Sequence, residues 1–133
     1  MKVVEVSVRT SRRYEFVSIT DEVRRAVRES GVEEGVCVIT SAHTTAGVTV
    51  NEDYDPDVAR DLTAASEALV NALDVSFVHA EGNSDSHLLT SLFGQSETLL
   101  VRDGEPQLGR WQGVFLAEFD GPRSRTVRVT VIE

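Results

Sequence analysis

Apolar and polar residues alternate over several short stretches of this chain, and this two-residue period is typical of β-strands. Residues 2–8, for example, place three valines on one face. Alternation of this kind, or a short apolar run, predicts further strands at residues 14–19, 35–40, 48–50, 77–78, 97–102, 106–108, 114–119 and 126–132. Asp103-Gly104 separates two of these stretches and has the sequence of a two-residue hairpin turn.

Two shorter segments carry the signals of helices. Thr20 is predicted to be the N-cap of a first helix, which presents Val23 and Val27 on one face and ends at Gly31. Residues 85–93 predict a second short helix, because a glycine follows them directly.

The longest helix is predicted to begin at Asp55-Pro56, because aspartate is a favoured N-cap and proline suits the first helical position. Its apolar residues recur at helical spacing to about Leu73. They are Val58, Leu62, Ala65, Leu69 and Ala72. With about eight strands and two main helices, the chain is predicted to be one α+β domain over residues 1–133, with a largely antiparallel sheet.

The composition is that of an ordinary globular protein, since 41% of the 133 residues are hydrophobic and 26% are charged. No apolar run approaches the roughly 20 residues that span a bilayer, and the N-terminus lacks the apolar core of a signal peptide. We therefore expect a cytoplasmic protein without membrane partners. A formal net charge of -9 argues against nucleic acid as a partner. Lys2 is the only lysine, which argues against Schiff-base or P-loop chemistry, and Cys37 in an apolar run predicts a buried thiol.

The three histidines lie next to predicted strands and loops, where a rigid scaffold presents functional side chains. His43 and His79 each follow an apolar stretch, and His87 lies eight residues beyond His79. Three neutral imidazoles can bind zinc and leave a fourth position open. Their spacing matches no metal motif, so unrelated histidines, a metal site and acid–base catalysis all stay open on this evidence.

Polar residues near the histidines are candidates for binding an anion. Asn83 and Ser84 lie in a glycine-containing loop that leads into a short helix, where backbone amides can hold phosphate or sulfate. Further donors nearby are Thr44, Thr45, Arg123 and Arg125. The loop is equally an ordinary turn with a helix cap. Glu118, at the end of an apolar strand, can orient a histidine ring or form an ion pair with Arg123.

Five segments, taken in order, carry a family resemblance. They are SAHTTAGVTVNED, residues 55–61, HAEGNSDSH, SLFGQS and GRWQGVFLAEFDGPRSRTV. Together they resemble the YjbQ-like family, which has also been named secondary thiamine-phosphate synthase. The resemblance covers about residues 36–132 and is looser over the first 35. It implies a compact α+β domain with a β-sandwich-like core and assembly into a homotrimer.

The resemblance also implies one shared site. The family's motifs fall on His43, Thr44 and Thr45, on His79, Glu81, Gly82 and Asn83, on His87, and on Trp111, Gln112, Glu118, Asp120, Gly121, Pro122 and Arg123. We therefore expect a polar pocket centred on the histidines, with a divalent metal, zinc or magnesium. The predicted catalytic residues are His43, His79, His87 and Glu118, and the three histidines are also the predicted metal ligands. The predicted anion-binding residues are Thr44, Thr45, Asn83, Ser84 and Arg123.

Two positions depart from the family's pattern and put the substrate in question. Arg110 stands where a threonine is common before the tryptophan, and Leu89 where a lysine is usual shortly after the third histidine. The reaction that the resemblance implies is weak thiamine-phosphate synthesis, in which a pyrimidine diphosphate is transferred to a thiazole phosphate and pyrophosphate leaves. The alternatives are a non-catalytic protein that binds a metal or a small anion, and a metal-assisted phosphoester hydrolase.

Overall fold

The computed structural model describes all residues, 1–133, as eight strands and three helices. The strands are β1 (Lys2–Arg9), β2 (Glu15–Ser18), β3 (Glu34–Ser41), β4 (Ala46–Glu52), β5 (Ser96–Arg102), β6 (Glu105–Pro106), β7 (Gln112–Glu118) and β8 (Ser124–Ile132). The helices are α1 (Thr20–Ser30), α2 (Pro56–Asn71) and α3 (Ser84–Phe93). The predicted α+β class is confirmed.

The strands form two antiparallel sheets that face each other. One sheet has five strands in the order β1-β8-β3-β5-β6, and the other has three in the order β2-β7-β4. Apolar side chains from both sheets meet in the main core, and α1 adds Val23 and Val27 to it. The predicted buried position of Cys37 is confirmed there, and burial raises the pKa of its thiol.

A second apolar cluster lies on the outer face of the three-stranded sheet, beneath α2 and α3. Strand β7 alternates between the two clusters, since Val114 and Leu116 face the main core while Phe115 and Ala117 face the second one. The end of α3 is fixed against β4 by a close backbone approach. A Cβ added at Gly47 would lie 2.3 Å from the carbonyl oxygen of the glycine that ends α3. This contact holds α3 next to the loop between β3 and β4.

The local signals for turns and caps are largely confirmed. Asp55 caps α2, since its side chain accepts a hydrogen bond of 2.9 Å from the amide of Asp57. Asp103 and Gly104 form the two-residue turn between β5 and β6, and both have positive φ, 52° and 70°. Thr20 is not the N-cap of α1, however. It is the first helical residue, and its hydroxyl accepts a hydrogen bond from the amide of Val114, so it ties the helix to β7.

The apolar face predicted for α2 is wrong. The face that packs on the sheet contains Ala59, Leu62 and Val70 together with Ser66, which is 2% exposed. Ser66 tolerates burial because its hydroxyl donates to the carbonyl of Leu62 at 2.7 Å. Of the face that was predicted, Leu62 packs on the sheet, while Leu69 stays 61% exposed.

The strand predicted at residues 77–78 is also wrong. Residues 73–79 have no regular secondary structure, and residues 71–82 are all exposed. Residues 74–78 take part in no backbone–backbone hydrogen bond, because no strand of the same chain lies beside them. Val75 and Phe77 are therefore left in contact with water, at 61% and 46% exposure. None of the three helices is long and apolar enough to cross a membrane.

Candidate functional site

His79 and His87 lie side by side. Their ring centroids are 5.6 Å apart, and the rings meet edge to face at 76°. His87 is on the first turns of α3, while His79 ends the exposed segment that precedes this helix. Glu81 lies 3.9 Å from Nε2 of His79. Two of the three histidines therefore share one location at the start of α3.

A polar cavity of about 470 Å³ opens beside His87. Its lining contains no apolar side chain and consists of Thr44, His87, Thr90, Ser91, Gly94 and Gln95. The hydroxyl of Thr90 is buried and has no hydrogen-bond partner in the chain. An unsatisfied buried hydroxyl costs about 1–3 kcal/mol, so Thr90 is a cavity-lining residue with an unmet hydrogen bond.

His43 is near this cavity through its backbone but turns its ring elsewhere. Its carbonyl accepts a hydrogen bond from the side chain of Gln95. Its Nε2 accepts a hydrogen bond of 2.8 Å from the amide of Thr126 on β8. Only the neutral imidazole can accept this bond. Burial, followed by the charge of Arg125, holds the pKa of His43 below its usual value, although Glu118 acts in the opposite direction.

Glu118 belongs to a buried ion pair, and its partner is Arg125 rather than Arg123. Glu118 is 0% exposed and Arg125 is 4% exposed. Nε of Arg125 donates to Oε1 of the carboxylate at 2.8 Å, and Nη2 donates to Oε2. Thr10 donates to Oε1 at 2.7 Å, and two backbone amides donate to Oε2. Burial alone would raise the pKa of Glu118, but the hydrogen bonds from Arg125, Thr10 and the Asp120 amide outweigh it and lower the pKa.

The remaining predicted anion-binding residues are mostly engaged within the chain. Thr45 is buried, and its hydroxyl accepts a hydrogen bond of 2.9 Å from Arg125. Arg123 donates to the carboxylate of Asp120 at 3.0 Å, and the amide nitrogen of Asn83 donates to the same carboxylate at 2.9 Å. The amide oxygen of Asn83 is buried without a partner. Ser84 begins α3.

The predicted residues are thus divided among three neighbouring groups. The cavity contains Thr44 and His87, with His79 beside it; the buried pair contains Thr45 and Glu118; the network around Asp120 contains Asn83 and Arg123. No group of three or more His, Cys, Asp or Glu side chains in the chain is arranged to hold a metal ion. A ligand set of three histidines is therefore not formed within one chain.

Several residues of the site were missed by the sequence argument. Thr90, Ser91 and Gln95 line the cavity but have no motif signal, because common polar residues on a helix look like its solvated face. Arg125 was noted only as one of several possible donors. The sequence did contain a signal for Arg125. It lies two residues before Val127, so the alternation of β8 places it on the same face as the valines, and this face is buried.

The fold and the cavity define a small α+β protein with a polar pocket between α3 and the β3–β4 loop. The family model described as "UPF0047 protein YjbQ-like" matches residues 4–133. A UPF0047 protein of Methanocaldococcus jannaschii is 46% identical over 94% of this chain and 90% of its own length. The UPF0047 protein YugU of Bacillus subtilis is 37% identical over 96% of each chain.

Solved structures agree with these relatives. A crystal structure of a conserved protein of the YjbQ/UPF0047 family from Clostridium acetobutylicum has a TM-score of 0.92 and 43% identity, covering 97% of this chain and 99% of that chain. A protein of unknown function from Sulfolobus solfataricus has a TM-score of 0.91 and 32% identity, covering 98% and 95%. The chain belongs to the UPF0047 family of YjbQ-like proteins, whose members among these matches carry no assigned activity.

We expect the Glu118–Arg125 pair to be essential for stability. Arg125→Met leaves a buried carboxylate without its cation, and breaking a buried pair in this way costs about 3–5 kcal/mol. Urea denaturation measures the loss. Arg123→Met is the matched control, because Arg123 is half exposed and a surface pair contributes only about 0–1 kcal/mol. Equal effects of the two substitutions would contradict the assigned role of the buried pair.

We expect His43 to make stability depend on pH. Its pKa is lower in the folded chain than in the unfolded chain, so the folded state binds fewer protons. The stabilisation is complete above the unfolded value of about 6.5 and is lost as the pH falls through the folded value. His43→Gln keeps an acceptor for the Thr126 amide but does not titrate. The variant should lose less stability than the parent protein between about pH 7.5 and 5.5 in urea denaturation; parallel pH profiles would refute this assignment.

Proposed function

We propose that the cavity beside His79 and His87 binds a small molecule that carries a phosphate group. The observation that supports this best is the unpaired, buried hydroxyl of Thr90 in a cavity lined only by polar residues and glycine. Hydroxyl, amide and imidazole groups together offer several donors to phosphate oxygens. The cavity volume of about 470 Å³ is in the usual range for a small-molecule site.

Local donors matter because the chain as a whole is unfavourable for anions. The net charge of -9 repels a phosphate at long range, so binding depends on groups that contact it. No carboxylate lines the cavity. The adjoining imidazoles of His79 and His87 are suited to transfer a proton to or from the bound molecule.

The reaction that we propose for this site is the one implied by the family's alternative name. The pyrimidine group of a pyrimidine diphosphate would be transferred to a thiazole phosphate as its bond to pyrophosphate breaks. Hydrogen-bond donors in the cavity would stabilise the charge on the departing pyrophosphate. Incubation of the protein with both substrates, with and without Mg²⁺, should yield thiamine phosphate and pyrophosphate in equal amounts. Phosphate binding without product would leave a non-catalytic anion-binding protein.

Assembly into a homotrimer and a cytoplasmic location are part of the same proposal. Both rest on the family resemblance and on the sequence. The exposed apolar side chains between α2 and α3 support assembly, because they leave a patch that water contacts unfavourably. Nucleic acid is not expected to bind, since it would meet the same repulsive charge.

The role of Thr90 can be separated from its effect on folding. Thr90→Val removes a hydroxyl that has no partner in the chain, so stability should be unchanged or slightly higher. Phosphate affinity measured by titration calorimetry should fall about tenfold or more, because a hydrogen bond to a charged group contributes about 1.5–3 kcal/mol. Thr63→Val, on α2, is the control. Unchanged phosphate affinity in Thr90→Val would reject the proposed site.

The spacing of His79 and His87 favours metal binding as a second candidate function. Two imidazoles with ring centroids 5.6 Å apart need only a modest movement to share one zinc ion, whose bonds to nitrogen are about 2.0–2.1 Å. The chain arranges no third side chain for such an ion, so water would fill the remaining positions, and one bound water would be the nucleophile for phosphoester hydrolysis. This candidate uses His43 only as a neighbour, since its Nε2 is bonded to the Thr126 amide.

Zinc titration with calorimetric detection tests this second candidate. The parent protein should bind zinc, and His87→Ala should abolish binding because it removes one of the two paired imidazoles. His43→Gln should bind zinc like the parent protein. If the His43 substitution removes zinc binding and the His87 substitution does not, the metal is held elsewhere.

A further inference from the structure

The segment between α2 and α3 has the pattern of a strand but no partner. Residues 71–82 are exposed without interruption, and Leu73, Val75 and Phe77 alternate with polar residues. Residues 74–78 make no backbone–backbone hydrogen bond. An extended segment with alternating side chains and unpaired backbone groups can pair with the open edge of a neighbouring sheet.

The same chain offers an open sheet edge. Strand β6 pairs with only two residues of β5, Val101 and Arg102, so the outer edge of β5 is uncovered from Ser96 to Leu99. Leu100, which directly follows this stretch of β5, is 62% exposed.

We propose that residues 73–79 of one copy form a β-strand on the outer edge of β5 of a second copy, and that this contact completes the cavity beside His87. The proposal rests on the proposed function for the identity of the site. It adds that residues 73–79 of a second copy close the cavity. The occupant of the open edge is the chain itself, because each copy carries both halves of the contact.

The size of the contact fits a stable assembly. A standard interface engages about 20–30 residues on each partner. The run of twelve exposed residues, 71–82, with the exposed Leu69 on α2, supplies about half of one side. A segment of one copy on a different surface of the next is a heterologous contact, which forms a ring when the rotation between copies closes and an open filament when it does not. A cyclic trimer is one such ring.

The position of the edge connects assembly to the site. Gln95 lines the cavity and directly precedes the open edge of β5. His79 is the last residue of the segment that each copy contributes to the next. A strand from a second copy along Ser96–Leu99 would therefore lie beside the cavity mouth. The cavity that is open in one chain then gains a wall from its partner, which excludes water and strengthens hydrogen bonds to a bound anion.

Proline at position 75 tests the contact through the backbone. In an isolated chain the amide of residue 75 has no partner, so Val75→Pro should leave the circular dichroism spectrum and the folded core unchanged. The proposed register points the amide of residue 75 at β5, so in the assembly the proline removes a hydrogen bond of the intermolecular ladder. We expect light scattering to report an oligomer for the parent protein and a monomer for Val75→Pro. Val75→Ala, which keeps the amide, should remain an oligomer.

Phosphate titration of the same proteins tests the completed cavity. Monomeric Val75→Pro should bind inorganic phosphate at least about tenfold more weakly than Val75→Ala, corresponding to the loss of about one charged hydrogen bond. A monomer that binds phosphate like the oligomer would overturn the claim that the partner completes the site. A monomeric parent protein, or an oligomeric Val75→Pro, would overturn the strand contact itself.

Hydrogen exchange of the parent protein keeps the test independent of any variant. The amides of residues 74–78 and 96–99 should be protected in the oligomer and exchange faster on dilution, whereas rapid exchange at all concentrations would refute the contact. If the parent oligomer binds no phosphate, the proposed function fails, while scattering and exchange still decide the strand contact.

Discussion

The buried carboxylate of Glu118 is the interaction on which the arrangement of the site depends. It lies at the end of β7 in the three-stranded sheet, yet its partners come from the five-stranded sheet: Arg125 on β8 and Thr10 directly after β1. A fully buried charge costs far more than its pairing returns unless all of its lone pairs are satisfied. Five donors satisfy this one, and together they join the two sheets at one end.

The same pair fixes the loop that carries part of the cavity. Arg125 also donates to the side chain of Thr45, and Thr44, the next residue in the chain, lines the cavity with His87. His43 is bonded to the amide of Thr126, next to Arg125 on β8. The motif of a histidine and two threonines is therefore divided. Two of its members are held by β8, and the third is presented to the cavity as a consequence.

Local signals predicted most of the fold, and long-range contacts account for the failures. The cap at Asp55 and the turn at Asp103-Gly104 depend on adjacent residues, so the sequence contains their cause. The face of α2 was predicted from five apolar residues at helical spacing, but Ser66 is buried instead of Leu69. The sheet accommodates Ser66 because its hydroxyl bonds within the helix. At the site, the proximity of His79 and His87 agrees with their short separation in sequence. The partner of Glu118 was not predicted, because the last strand was predicted to begin at residue 126, which left Arg123 and Arg125 together in the preceding turn. In the structure β8 begins at Ser124 and includes Arg125 but not Arg123.

Polar groups and strand-like segments without partners in their own chain carry the most information about function. Membership of the UPF0047 family accounts for the fold, since solved structures of relatives share it. It does not explain why Thr90 and Asn83 keep unpaired polar atoms in the interior, or why a strand-like segment is left in water. Each of these arrangements costs free energy in the isolated chain. Thr90 is one of the residues that line the cavity, and the unpaired segment ends at His79, next to His87 on the same helix. A ligand and a second copy are the sources that we propose for the missing contacts, and both would act beside α3.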